Sequence, residues 1–133
     1  MIVLDASVVL KWFLKEKDTP RAIGFLESHI SGDGHIAIPE LLYYEVANAL
    51  VTKTALSEKD VLAALRNLLG LDLVGYSFGA DEYIKAAQLA MNSGITVYDA
   101  SYPVLAQSLG IDFVTADRRL ANSLKGLEFV KAM

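Results

Sequence analysis

Four carboxylates stand where an acidic side chain needs a reason. Asp5 directly follows the apolar run Ile2-Val3-Leu4, and Asp117 follows the extended stretch Phe113 to Thr115. In open parallel sheets, ligands gather beyond the carboxyl ends of the strands, so both aspartates fall where a site is expected. Asp99 opens a helix after a short extended piece, Thr96 to Tyr98. Each of these three also suits the plain role of a helix cap, because free N–H groups and the helix dipole welcome a carboxylate there. Glu45 is different. It is the only charge in Leu41 to Val51, a helix with almost no polar face that should be largely buried. A buried carboxylate is costly unless it is paired, metal-bound or protonated. Asn48, one turn on, faces the same way and is placed to hydrogen-bond Glu45 or a phosphate.

Carboxylates that converge without a partner repel one another, and a divalent cation removes the conflict. All-oxygen donors suit Mg²⁺ or Mn²⁺, which commonly join protein carboxylates to phosphates. The two histidines, His29 and His35, have no acidic neighbour at ligand spacing and read as surface or loop residues, which argues against zinc. There is no cysteine, which excludes disulfides and thiolate catalysis. The net charge of −4 counts against a broad basic surface for nucleic acid, leaving Lys11, Lys15, Lys17, Arg118 and Arg119 as local candidates.

The elements that position these residues alternate. Ile2 to Leu4 reads as a strand and Ala6 to Leu14 as a helix in which Val8, Val9, Trp12 and Phe13 recur at helical spacing. The two aromatics are taken as core. Thr19-Pro20 opens a helix to about Ile30, with the threonine as cap. A strand at His35 to Ile38 follows, then a helix from Pro39 to about Thr54 and another capped by Ser57. Leu71 to Tyr76 is a strand, Ala80 to Asn92 a helix ending at Gly94, and Asp99 to Leu109 a helix ending at Gly110. Asp112 to Thr115 is a strand, Asp117 to about Leu124 a short helix, and Glu128 to Val130 an edge strand. The alternation predicts a three-layer α/β/α sandwich on a mainly parallel sheet, formed as one domain over residues 1–133. With 53% hydrophobic residues the chain can bury a full core. No run approaches the roughly 18–20 apolar residues of a membrane span. The start lacks the pattern of a signal peptide, so a cytoplasmic protein is expected.

The segments Ile2-Val-Leu-Asp5-Ala-Ser7, Pro39-Glu-Leu-Leu-Tyr-Tyr-Glu45-Val-Ala-Asn48, Tyr98-Asp99-Ala-Ser-Tyr102 and Phe113-Val-Thr115-Ala-Asp117-Arg118-Arg119 together resemble the PIN-domain ribonucleases, and among them the VapC-type toxins of toxin–antitoxin pairs. Each motif alone is weak, but their order, spacing and context agree along the whole chain. The resemblance implies a Mg²⁺- or Mn²⁺-dependent endoribonuclease whose acidic residues are Asp5, Glu45, Asp99 and Asp117. It also implies RNA as substrate, a homodimer, and a cognate antitoxin as partner. Ser7 and Thr115 match hydroxyl positions near the metal site of such proteins. Asp5, Asp99 and Asp117 would then be direct or water-mediated ligands, and Glu45 a ligand or the orienter of the attacking water. Pro103, four residues after Asp99, departs from the pattern and is tolerated if its helix starts later than Asp99. The alternatives are an inert PIN-like partner-binding module and phosphoryl transfer with Asp5 as nucleophile. Ser7 stands where phosphatases of the latter kind usually carry a second aspartate.

Overall fold

A computed structural model describes residues 1–133. In chain order the elements are β1 (Ile2–Leu4), α1 (Ala6–Val9) running into a 3₁₀ turn (Leu10–Trp12), α2 (Thr19–Ser31), β2 (Ile36–Pro39), α3 (Leu41–Thr52) and α4 (Glu58–Leu69). They continue with β3 (Val74–Tyr76), α5 (Ala80–Ser93), α6 (Val97–Leu109), β4 (Asp112–Thr115), α7 (Arg118–Ser123) and β5 (Val130–Ala132). The five strands form one sheet in the order β3-β2-β1-β4-β5, and every pairing is parallel.

That order fixes the layers. The chain steps outward from β1 through β2 to β3, then returns across the sheet to β4 and β5. Right-handed crossovers therefore place α1 to α4 on one face and α5 to α7 on the other. The direction of winding reverses between β1 and β4, whose register pairs Val3 with Phe113 and Leu4 with Val114. Val3, Leu4, Ile36, Ile38 and Phe113 are fully buried, as strands covered on both faces should be. On the second face, α5 and α6 meet through Ala86, Ala90, Ala100 and Val104. Small side chains let the two helices approach closely.

Several sequence expectations shift. Thr19 does not cap α2; its hydroxyl donates to the Leu14 carbonyl and accepts from the Glu16 N–H, tying down the preceding loop instead. Pro39 ends β2 rather than opening α3. Thr96 to Tyr98 is not extended: the Thr96 hydroxyl accepts from the Asp99 N–H at 3.0 Å and caps α6, which starts at Val97. The helix thus begins earlier than expected and Pro103 lies inside it, so the Asp99 carbonyl loses its intrahelical donor. The last strand lies at Val130–Ala132, displaced from Glu128 to Val130. His29 is buried rather than superficial: Nδ1 accepts from the Ile36 N–H at 3.1 Å, so Nε2 carries the proton and donates to the Leu71 carbonyl at 2.9 Å. Trp12 and Phe13 do pack against the core, with the indole N–H donating to the Ala22 carbonyl at 2.8 Å.

Candidate active site

At the winding reversal, Asp5 leaves the end of β1 and caps α1. Its Oδ1 accepts from the Ser7 and Val8 N–H groups at 3.1 and 3.4 Å and from the Ser7 hydroxyl at 2.5 Å. Its Oδ2 accepts from the Thr115 hydroxyl at 2.5 Å. Those hydroxyls are held in turn from the β4–α7 turn, because Ser7 Oγ accepts from the Ala116 N–H at 2.9 Å and Thr115 Oγ1 from the Asp117 N–H at 3.0 Å. The carboxylate is only 5% exposed. Burial pushes its pKa up to about 6, against the opposing pull of the Ser7 and Thr115 hydroxyls.

Asp117 caps α7 with a single oxygen. Its Oδ1 accepts from the Arg119 and Leu120 N–H groups at 3.0 and 3.1 Å, and the side chain is exposed. Asp99 sits in the first turn of α6, half-buried. Glu45 is half-buried on α3, and its Oε1 accepts from the Tyr102 hydroxyl at 2.5 Å. Asp117 and Glu45 therefore share a pattern: one oxygen is anchored by the protein and the other is left without a protein donor.

Asp99 is the electrostatic centre of the group. Burial is the main cause that raises the Asp5, Glu45 and Asp99 carboxyls above their ordinary values, and the Asp99 charge raises Asp5 and Glu45 further. Asp117 acts on Asp99 in the same way. Burial and the carboxylates around it also push the Tyr102 phenol far up, so it stays a neutral donor. No lysine or arginine forms an ion pair with any of the four acids; the ion pairs of the molecule join Lys11 to Glu16 and Asp18. Lys11 is thereby committed elsewhere, while Lys15, Lys17, Arg118 and Arg119 remain exposed.

This donor set fits a hard divalent cation. It is all oxygen, none of its acids is ion-paired to a lysine or arginine although Lys53 partly offsets the charge on Glu45, and it presents unshared oxygens. The set is open rather than closed, since no three acidic or histidine side chains converge tightly enough to enclose an ion by themselves. Mg²⁺, which keeps several of its waters, is suited to such an arrangement.

Of the four acids named from the sequence, Asp5, Glu45 and Asp117 each lie within electrostatic reach of Asp99, with Ser7 and Thr115 beside Asp5. Asn48 does not join them; it is exposed and makes no hydrogen bond to Glu45. Nor is α3 largely buried, because it exposes Tyr44 and Val51 to 79% and 66%. Sequence reasoning missed Tyr102. Its only signal is a spacing of three from Asp99, which puts both on one face of α6.

A PIN domain profile matches residues 2–123. Ribonuclease VapC3 of Pyrobaculum aerophilum is 31% identical over 130 residues, spanning 95% of this chain and 96% of that protein. Exonuclease VapC9 of the same organism is 37% identical over 92 residues, 68% of each chain. Among solved structures, PAE2754 from Pyrobaculum aerophilum superposes with a TM-score of 0.68 at 25% identity, covering 98% of this chain and 89% of that one. A chain of a toxin–antitoxin complex from Klebsiella pneumoniae shares the fold with a TM-score of 0.72 at 14% identity, covering 98% and 96%.

Proposed function

This chain belongs to the PIN domain family, and we propose that it is a metal-dependent endoribonuclease acting as the toxin of a toxin–antitoxin pair. The observation that carries the reading is the set of four carboxylates at the winding reversal, three of them with raised pKa values and none ion-paired to a lysine or arginine. The names of the two Pyrobaculum relatives support nuclease chemistry. The Klebsiella neighbour supports an antitoxin as partner.

Asp5, Glu45, Asp99 and Asp117 would hold Mg²⁺ or Mn²⁺. When bound, the cation supplies positive charge for the phosphate and for the attacking water. Asp5 is fixed by its hydroxyls and cannot swing, so it sets the floor of the site. Asp99 and Asp117 come from the two helix starts on either side. Glu45, through the oxygen Tyr102 does not engage, orients the water and accepts its proton. The water oxygen attacks phosphorus, the bond to the leaving ribose oxygen breaks, and that oxygen takes a proton from solvent. Arg118 and Arg119, exposed next to Asp117, would meet neighbouring phosphates. Exposed apolar residues, Tyr83, Ile84, Met91 and Tyr98 on α5 and α6 and Tyr44 and Val51 on α3, supply surface for a second copy and for the antitoxin.

The test is cleavage of a structured RNA pool by purified, partner-free chain in EDTA, Mg²⁺ and Mn²⁺, beside folded Asp5→Asn and Asp117→Asn variants. Cleavage that needs the metal and is lost in both variants supports the reading. Equal residual activity in wild type and variants, or none in any metal with retained antitoxin binding, makes the chain a binding module instead.

A further inference from the structure

Glu45, like Asp99, has no backbone group anchoring its carboxylate. Asp5 and Asp117 are fixed by N–H groups at helix starts, and Asp99 belongs to a capped first turn. Glu45 projects from the middle of α3 and meets a single donor, the Tyr102 hydroxyl at 2.5 Å. We propose that Tyr102 is the positioning residue of the site, holding Glu45 by Oε1 so that Oε2 alone is turned to the cation and the attacking water. This rests on the nuclease reading above.

The case is geometric. Tyr102 is 1% exposed, and its ring stacks on Phe113 with centroids 5.9 Å apart and planes 14° from parallel. Phe113 and Thr115 are two apart on β4 and share a face. One face of one strand therefore supports two acids: Thr115 directly holds Asp5, and Phe113 fixes the ring whose hydroxyl holds Glu45. Asp99 lies one helical turn from Tyr102, so any shift of α6 moves both together. The choice of donor matters too. A lysine or arginine here would bring a charge that competes with a cation, whereas a phenol orients the carboxylate and leaves its charge intact. Outer groups that orient ligands in this way typically change metal affinity or activity 10–100-fold when removed.

The experiment is Mn²⁺ titration followed by electron paramagnetic resonance, on wild type, Tyr102→Phe, Glu45→Gln and the double variant, with kcat and KM measured on one RNA oligonucleotide. Tyr102→Phe is expected to keep its fold and weaken Mn²⁺ binding about tenfold or more. It lowers kcat with KM nearly unchanged, and the double variant is no worse than Glu45→Gln alone. A purely structural role for Tyr102 would make the two losses multiply. Wild-type affinity in Tyr102→Phe, or multiplying losses, overturns the inference while leaving the nuclease reading standing. A wild-type chain that binds no Mn²⁺ and cuts no RNA overturns both. If Tyr102→Phe does not fold, Glu45→Asp answers the question, because the shorter side chain keeps its charge but cannot reach the hydroxyl. Undiminished Mn²⁺ binding by that variant overturns the inference.

Discussion

The Thr115 hydroxyl at the end of β4 donates to Asp5 Oδ2 at the end of β1, across the pair of strands where the winding reverses. A side chain rather than the ladder thus closes the carboxyl end of this strand pair, and it does so on a buried carboxylate. Thr115→Val keeps the shape and removes the donor. At pH 8 and without metal it should cost about 1–3 kcal/mol of stability, the penalty of leaving a buried polar group short of a partner. Thr115→Ser, which restores a hydroxyl, should recover most of that loss. Urea unfolding of the three proteins measures it, and equal midpoints for valine and serine would contradict the assignment.

The raised carboxyls make a prediction for pH. Asp5 titrates near 6 in the folded chain against an ordinary value of 3.8, so between those values the native state holds more protons than the unfolded one. The associated stability is fully present below about pH 4 and lost as pH rises through about 6. Glu45 and Asp99 are shifted in the same direction and add to the slope. In EDTA the chain should therefore become less stable as pH rises through this window. Asp5→Asn should flatten the curve, removing up to about 3 kcal/mol of variation. Excess Mg²⁺, which competes with these protons, should shift the wild-type optimum upward. A metal-free stability that climbs from pH 4 to 6, equally in wild type and Asp5→Asn, is the contrary result.

His29 bridges the start of β2 to the segment before β3 at the end of the sheet away from the four acids. His29→Leu fills the space but leaves the Ile36 N–H and the Leu71 carbonyl without their partner. A loss of about 1–3 kcal/mol is expected, with kcat per folded molecule unchanged. Thermal unfolding paired with an active-site titration separates the two quantities, and a fall in kcat at full folding would place His29 in the catalytic machinery after all.

Arg118 and Arg119 are exposed beside Asp117 on the short helix α7. Replacing both by glutamine should raise KM for RNA several-fold and reduce its salt dependence, with kcat within about twofold, because rim cations act through backbone phosphates. A larger fall in kcat than rise in KM would mean that one of them reaches the reacting phosphate.

Much of this arrangement is legible in the residues. Strand-terminal aspartates cap the helices that follow them, so Asp5 and Asp117 are marked twice, by position and by capping chemistry. Glu45 is marked by the apolar run around it, although the reason differs from the expected one: α3 is not enclosed but exposes Tyr44 and Val51. What could not be read depends on contacts distant along the chain. Tyr102 lies in an apolar helix where an aromatic ring signals core, and its partner Glu45 is 57 residues away. His29 reaches 42 residues to Leu71. The start of α6 is ambiguous in the sequence because Thr96 and Asp99 are both competent caps, and Pro103 favours the later one by local rules alone. Packing of α6 against α5 and the sheet overrides that preference.

The central claim is that Asp5, Glu45, Asp99 and Asp117 form one cation site. The most direct test is an anomalous difference map from crystals of the partner-free chain soaked in Mn²⁺ at near-neutral pH. The account predicts one or two peaks bounded by Asp99 and its three acidic neighbours, absent from Asp99→Asn crystals grown in the same form. A fully occupied Mn²⁺ elsewhere on the chain with this cluster empty, or a peak that persists unchanged in Asp99→Asn, would contradict it.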